Sequence, residues 1–205
     1  MKTQMTTFRK NILRVVLFIA LIITNSAKAQ TIKLSADQAH SNVGFYISMA
    51  QGLTRITGKY TDFDITINYV DSDMTKSSFE ASIKAASLNT GIAGRDAHLA
   101  TPDFFDTLKF PLVTFKSDTI VKNGTGYLAK GIFSMHGISK RIVLPFSIVG
   151  KSADGSIGFE SRCTISRRDF QIGKDTLKPG KGDGFLSEDV MVEIDFLAKP
   201  PRKEK

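Results

Sequence analysis

The chain has 205 residues, an ordinary globular composition and a formal net charge of +8 that is unevenly distributed. Residues 1–29 hold five basic and no acidic side chains, and residues 199–205 hold four basic side chains and one acidic one. The stretch between them, residues 30–198, contains 19 basic and 19 acidic residues. This neutral body excludes the clustered Lys and Arg surface that nucleic-acid binding requires, and the length favours one folded domain.

The first 29 residues have the three parts of a secretory signal peptide. A basic segment precedes an unbroken apolar run at residues 15–23, and Ala27-Lys28-Ala29 follows as a small-x-small cleavage site. The run is about half as long as the ~20 apolar residues that a membrane-spanning helix needs. We therefore predict cleavage near Ala29, a mature chain that begins at Gln30, and a periplasmic or secreted protein. Retention of the segment as a membrane anchor is the alternative.

Apolar and polar residues alternate in many segments of residues 30–198, with the period of two that half-buried antiparallel strands show. In the first such segment, residues 43–49, every second side chain is apolar. Turn-rich sequences separate the segments, and residues 94–106 form a helical insertion that Pro102 interrupts. The pattern predicts seven or eight antiparallel strands. The remaining segments, in chain order, are residues 63–69, 79–85, 127–135, 142–148, 157–165 and 190–196.

Eight antiparallel strands in up-and-down order close most economically into a barrel, because closure removes the exposed sheet edges. A barrel of this size either packs its interior with side chains or encloses one small ligand. Both interiors agree with the sequence, and a Phe-rich lining suits an apolar ligand better than a polar one. On the predicted inner faces, small residues alternate with aromatic ones: Ala81, Ala85, Ala129, Gly131 and Ser161 with Phe79, Phe133 and Phe159.

Three histidines and one cysteine are the residues from which a metal site would be built. His40, His98 and His136 have no HxxxH, HExxH or CxxC spacing with one another or with Cys163, so we predict no metal site and no cofactor. The single cysteine excludes an internal disulfide, and its strand-like surroundings predict a buried, inert thiol.

Asp37, His40 and Ser41 bring an acid, an imidazole and a hydroxyl close together in the sequence. Residues this close along a strand point to alternating faces, so they cannot form a nucleophile-base relay among themselves. No GxSxG motif is present either. We interpret the three residues as a capping and hydrogen-bonding cluster.

The densest polar group is Arg95, Asp96 and His98, which lie on the predicted helical insertion. One hypothesis is that they contact the polar head of an otherwise apolar ligand at the mouth of the barrel. The alternative is a salt-bridged latch that holds the insertion onto the barrel.

The basic C-terminal tail, residues 199–205, is predicted to be a solvated end. Such a tail is attracted weakly to an anionic membrane surface, by about 1 kcal/mol per charge. Surface patches are not visible in a sequence, so a homodimer remains open.

Together these motifs resemble the YceI-like, polyisoprenoid-binding family over residues 32–196. The resemblance implies a lipocalin-like eight-stranded antiparallel β-barrel with a short helical insertion, which is exported, holds a long isoprenoid or fatty chain and is not known as a catalyst. Family members commonly carry a His where this chain has Met49 and Ala50, and a Gly where it has Gln171. The matching motifs are Asp37-x-x-His40-Ser41, Thr57-Gly58-x-Tyr60, RDAHLATPDFFDTLKFPLVTF at residues 95–115, Gly131, His136-Gly137-Ile138-Ser139-Lys140, Arg168-Asp169-Phe170 and Asp189-Val190.

We therefore predict an exported lipid-binding protein that is not an enzyme and holds a polyisoprenoid, quinone-like or fatty amphiphile. One alternative is an isomerase or hydrolase that uses the same cavity, with His40 or His98 as general base. The other is an interaction protein whose barrel is solid. The polar candidates for ligand contact are Arg95, Asp96 and His98, and the apolar candidates are Phe45, Ile47, Phe79, Phe104, Phe105, Phe133 and Phe159.

Overall fold

The computed structural model describes residues 30–173 and 186–201, which contain eleven β-strands, one α-helix and five short 3-10 turns. The predicted signal peptide, residues 1–29, and residues 202–205 of the basic tail lie outside the described residues. No helix in the described ranges has the length and apolar character needed to cross a membrane. The elements are β1 (Thr31–Ala36), β2 (Asn42–Met49), β3 (Thr54–Tyr60), β4 (Phe63–Val70), β5 (Ser78–Lys84), β6 (Leu88–Asn89), α1 (Ala93–Leu99), β7 (Leu112–Asn123), β8 (Gly126–Met135), β9 (Ile138–Lys151), β10 (Ile157–Ser166) and β11 (Leu186–Lys199).

Six of the strands combine in pairs, so that the barrel wall has eight strands. β1 and β2 both pair with β11 and act as one long bent strand. β3 and β4 form the next bent strand, which pairs with β2 and β1 in turn, and β5 with β6 forms the third. The remaining five strands continue the antiparallel meander, and the pairing of β1 with β11 closes it. The predicted eight-stranded antiparallel barrel is confirmed.

The bend between β1 and β2 is held by the Asp37 and Ser41 cluster. The Asp37 amide donates to the Leu197 carbonyl over 2.8 Å, and the Leu197 amide donates to Ser41 Oγ over 3.1 Å. Ser41 Oγ in turn donates to the Asp37 carbonyl over 2.6 Å. These bonds satisfy backbone groups where the regular strand pairing stops, so the cluster lets one strand bend without leaving β11.

The barrel has two ends, which we name by the connections they carry. The upper end carries residues 50–53, 90–111, 136–137 and 167–173, and the lower end carries the shorter turns at 71–77, 124–125 and 152–156. Helix α1 therefore lies at the upper end. The helix is shorter than the predicted insertion of residues 94–106, because Pro102 prevents the chain from continuing in helical form.

The lower half of the barrel is filled by phenylalanine side chains. Phe79, Phe146, Phe159 and Phe196 are at most 9% exposed. The Phe159 and Phe196 rings stack at 5.0 Å, and Phe79 meets Phe146 edge-on at 4.9 Å. Aromatic pairs in these geometries stabilise a core beyond the effect of their buried area. Here the phenylalanine rings pack against one another as a solid core.

Candidate functional site

The upper half of the barrel encloses a cavity of about 440 Å³. This volume lies within the range of about 300–1,000 Å³ that is typical of small-molecule sites. Its walls come from alternate residues of the strands, because every second side chain of a strand points inward. The wall residues are overwhelmingly apolar: Val43, Phe45, Ile47, Met49, Ile56, Ile65, Ala81, Ile83, Val113, Phe115, Ala129, Phe133, Met135, Ile142, Leu144, Ile165, Val190, Val192 and Ile194.

Phenylalanine rings close the lower end of this cavity. Phe79, Phe146 and Phe196 contribute to its lining. Phe159 does not, because it is only 2% exposed and its ring is stacked behind that of Phe196. The structure therefore places Phe159 beneath the cavity floor and not in contact with the cavity.

The upper end of the cavity is formed by helix α1 and the turns that follow it. Arg95, His98 and Leu99 contribute from the helix, and Phe104 and Phe105 contribute from the next turn. The His98 side chain is 60% exposed to solvent although it also borders the cavity. This region is therefore where the cavity meets the surface of the described structure.

One glycine motif shapes the wall beside this mouth. Gly58 lies directly opposite Phe45 in the β2–β3 pair, and a Cβ on Gly58 would lie 2.5 Å from the Phe45 ring. Only glycine therefore lets the Phe45 ring lie across β3, where it meets Tyr60 at 6.1 Å. Burial raises the pKa of Tyr60 above its ordinary value, which fits an apolar environment.

Arg95 and Asp96 do not pair with each other but both bind Thr90. Asp96 Oδ1 accepts hydrogen bonds from the Thr90 amide, over 2.9 Å, and from the Thr90 hydroxyl. The Arg95 guanidinium donates from Nε to Thr90 Oγ1 over 2.7 Å and from Nη2 to the Thr90 carbonyl over 2.8 Å. These bonds fasten the start of α1 to the end of β6, so a latch exists without the predicted salt bridge. Arg95 also borders the cavity, whereas Asp96 does not.

His98 lies at the mouth beside an acidic and an aromatic neighbour. Its Nε2 is 3.3 Å from Asp103 Oδ2, and its ring meets that of Phe104 edge-on at 5.1 Å. Asp103 is itself 64% exposed, so the pair is solvated and contributes little to stability. His98 is placed where it can face a ligand head, and its role there stays a prediction.

Sequence reasoning missed Arg167, the most buried charged side chain at the site, which is only 4% exposed and borders the cavity. Its guanidinium donates to the carbonyls of Ser187 and Leu186 on one side and of Ile172 and Gly173 on the other, over 2.8–3.2 Å. Burial lowers the pKa of this arginine. Of its neighbours, Arg168 pairs with Glu188 and Asp169 pairs with Lys140, both on the outer surface. The family motif at residues 168–170 thus contains these outward-facing residues and does not include Arg167.

Cys163 is another lining residue that the alternation of β10 brings inward. Burial raises the pKa of its thiol to about 11, so the thiolate is scarce at neutral pH. This agrees with the expectation of an unreactive thiol, and it places the single cysteine of the chain inside the cavity.

The Asp37 and His40 cluster lies away from the cavity, on the outer surface. Asp37 contacts the Lys199 ammonium at 2.5 Å and His40 Nδ1 at 2.9 Å, and His40 is 67% exposed. Lys199 and then His40 lower the pKa of Asp37 to about 2. Within the described residues, no group of three His, Cys, Asp or Glu side chains is placed to hold a metal ion.

The barrel fold is found in known proteins. Residues 34–198 match the YceI-like domain, which is about four-fifths of the chain. The chain belongs to the YceI-like family. A curated relative, the UPF0312 protein plu2095 of Photorhabdus laumondii, is 30% identical over 159 residues, which cover 76% of this chain and 82% of that protein.

Two solved structures share this YceI-like fold. BcnA of Burkholderia cenocepacia superposes with a TM-score of 0.71 at 22% identity, covering 80% of this chain and 99% of BcnA. A polyisoprenoid binding domain from Saccharophagus degradans superposes with a TM-score of 0.65 at 17% identity, covering 84% of this chain and 100% of that domain. At these identities the likeness establishes the fold.

Most of the residues proposed from the sequence border the YceI-like cavity. Asp96 and Phe159 are the two that do not. Whether the others contact a ligand stays a prediction. The alternation of β9 and β11 also predicts inward-facing residues such as Ile142, Leu144, Val192 and Ile194, which border the cavity but were not among the proposed contacts. The candidates that border the cavity are Arg95, His98, Phe45, Ile47, Phe79, Phe104, Phe105 and Phe133.

Proposed function

We propose that this YceI-like protein binds one long-chain amphiphile, a polyisoprenoid, quinone-like or fatty lipid, with its chain in the upper cavity and its head near Arg95 and His98. The observation that carries the proposal is the enclosed apolar space of about 440 Å³ above the phenylalanine floor. The Saccharophagus degradans domain of the same fold, which is a polyisoprenoid binding domain, supports the choice of ligand class.

The energetics of the cavity favour an apolar chain over a polar ligand. Each methylene group transferred from water into such a space contributes about 0.8 kcal/mol. A chain of ten or more carbons therefore gains several kcal/mol after the entropy of ordering it is subtracted. A polar ligand would lose its hydrogen bonds to water and find few partners on these walls.

The location of the protein belongs to the same proposal. Residues 1–29 have the composition of a secretory signal, and we propose that the protein works in the periplasm or outside the cell. A lipid cannot diffuse freely through such an aqueous compartment. A barrel that covers the chain would carry or store it there.

We propose binding and not catalysis as the role of the cavity. A general base has to come within hydrogen-bond reach of the substrate. His40 lies on the outer surface, and His98 Nε2 lies 3.3 Å from Asp103 Oδ2 at the solvated mouth. On this proposal, His98→Ala weakens lipid retention only slightly, because the buried chain supplies most of the binding free energy, and neither wild type nor the variant converts the bound lipid chemically.

Native mass spectrometry of the gently purified protein, followed by organic extraction, tests the proposal. Ala81→Phe places a new ring in the cavity, whereas Glu80→Phe places the same ring on the outer face of the same strand, where Glu80 is 63% exposed. We expect wild type and Glu80→Phe to retain an extractable amphiphile or to take up an added polyprenol. We expect Ala81→Phe to lose most of this uptake while it remains folded by circular dichroism.

Two outcomes would overturn the proposal. One is wild-type protein that is free of ligand as purified and also ignores added polyprenol, fatty acid and quinone. The other is unchanged uptake in a folded Ala81→Phe variant, because the ligand would then bind outside the cavity.

A further inference from the structure

The upper end of the barrel exposes large apolar side chains on its connections. Leu53 is 89% exposed at the end of the β2–β3 turn. Ile92 is 55% exposed just before helix α1, and Leu108 is 97% exposed between α1 and β7. We call these three the rim residues. Single exposed apolar side chains are common on protein surfaces, but three that are more than half exposed at one end of a barrel mark a candidate contact surface.

The rim residues belong to the same two connections that form the cavity mouth. Met49 and Ile56, which flank Leu53 in the β2–β3 hairpin, border the cavity. Ile92 precedes Arg95 and His98 in the segment that closes the cavity from above, and Leu108 follows Phe104 and Phe105 in that segment. The exposed apolar surface and the apolar interior are therefore parts of one end of the molecule.

We propose that the upper end docks onto a lipid bilayer, with the rim residues inserted among the lipids and the cavity mouth facing the membrane. The inference rests on the proposed function. If the cavity binds a lipid chain, contact between the mouth and the membrane shortens the path of that chain through water. A chain then passes from one apolar environment to another.

A bilayer suits the rim residues better than a second protein surface does. They are spread over two connections with polar residues between them, whereas a stable protein interface buries about 800 Å² of continuous surface per partner. Acidic and basic groups are mixed in the 90–111 connection, where Arg95 and Lys109 occur with Asp103 and Asp106. Docking through apolar side chains therefore needs no anionic lipid and persists at high salt. Attraction of the basic tail to a membrane would need anionic lipids and would be screened by salt.

The test compares three forms of the exported protein that share the same N-terminus: wild type, a Leu53→Ser and Leu108→Ser double variant, and Val149→Ser. Val149 is the matched control, because it is 67% exposed near the opposite end of the barrel. Cosedimentation with phosphatidylcholine vesicles is measured in about 1 M salt, where charges beyond roughly 3 Å are screened. Uptake of a polyprenol is measured from these vesicles and, separately, from detergent micelles.

We expect the double variant to bind vesicles about 100-fold more weakly than wild type, roughly tenfold for each leucine. Its uptake from vesicles should slow accordingly, with uptake from micelles and thermal stability unchanged. Val149→Ser should behave as wild type. These results together would support membrane docking through the upper end.

Docking is overturned if wild type ignores the vesicles, if the double variant binds them normally, or if Val149→Ser loses as much binding. It is also overturned in favour of self-association if the double substitution breaks a dimer in sedimentation velocity and leaves vesicle binding unchanged. Vesicle binding without polyprenol uptake by either route would support docking and count against the proposed function. Uptake from micelles without vesicle binding would support the proposed function and count against docking.

Discussion

At the scale of single residues, the environment decides what each charged group does. Arg167 is buried among backbone carbonyls, whereas its neighbour Arg168 is about half exposed and pairs with Glu188. Gln171 has a left-handed φ of 55° and ends the turn that holds both arginines. Such a position favours glycine, so this chain accepts a local strain there. The two adjacent arginines therefore have different roles: Arg167 holds backbone segments together, whereas Arg168 lies in solvent.

Asp37→Asn tests whether the outer cluster is structural. The folded-state pKa of Asp37 is about 2 against an ordinary 3.8, so the ionised carboxylate stabilises the fold at every pH above about 4. That contribution is lost as the pH falls through about 2. We expect wild type to be more stable than the variant above about pH 4, and the difference to shrink between about pH 4 and pH 2.

Urea unfolding at a series of pH values measures this difference. Lys199→Met removes the main cause of the lowered pKa, so it should flatten the pH dependence in the same way. A stability difference that stays constant down to about pH 2 would contradict the assignment.

At the scale of elements, the sequence pattern identified most strands but not the way they combine. The predicted segments correspond to β2, β4, β5, β8, β9, β10 and β11. β1, β3, β6 and β7 were not identified individually. In β3 the inward face has only two large apolar residues, Ile56 and Tyr60, separated by Gly58, so the period of two is weak. The bends between β1 and β2 and between β3 and β4 depend on hydrogen bonds to distant residues, which no local pattern reveals.

Arg167→Met tests how the upper connections are tied together. The guanidinium joins the end of the 167–173 turn to the start of β11 through four backbone carbonyls. Its removal leaves these carbonyls without that donor, and we expect the free energy of unfolding to fall by roughly 2–4 kcal/mol.

The matched control is Arg168→Met, since Arg168 and Glu188 are 52% and 47% exposed. An exposed ion pair contributes at most about 1 kcal/mol, so this variant should unfold in urea close to wild type. Equal losses in the two variants would show that burial is not what distinguishes them.

At the scale of the whole molecule, the barrel is solid in one half and hollow in the other. The lower half is packed with phenylalanine rings, and the upper half encloses the apolar cavity. The sequence agreed with either a packed or a hollow interior, and the barrel has both, one in each half. A filled floor and an accessible upper end make the cavity a blind pocket that opens at the upper end.

The single cysteine reports on occupancy of this pocket. Cys163 borders the cavity and its pKa is raised to about 11, so alkylation by N-ethylmaleimide should be slow and should speed up about tenfold per pH unit between about pH 8 and 10. A bound polyprenol should slow the reaction further by covering the thiol. Intact mass measured over time follows the reaction, and labelling at the same rate with and without bound polyprenol would contradict a lumenal ligand.

The sequence by itself determined the strand periodicity, the neutral body and the family motifs, because these depend on residue type and local spacing. From them followed the all-β barrel and ten candidate contact residues, eight of which border the cavity. Only the tertiary structure decided that Phe159 lies under the floor, that Asp96 binds Thr90 and that Arg167 is buried at the top. Each of these facts depends on contacts between strands and turns that are far apart in the sequence. The alternation of apolar residues shows which side chains face inward, but it does not show whether the space they face is filled or empty.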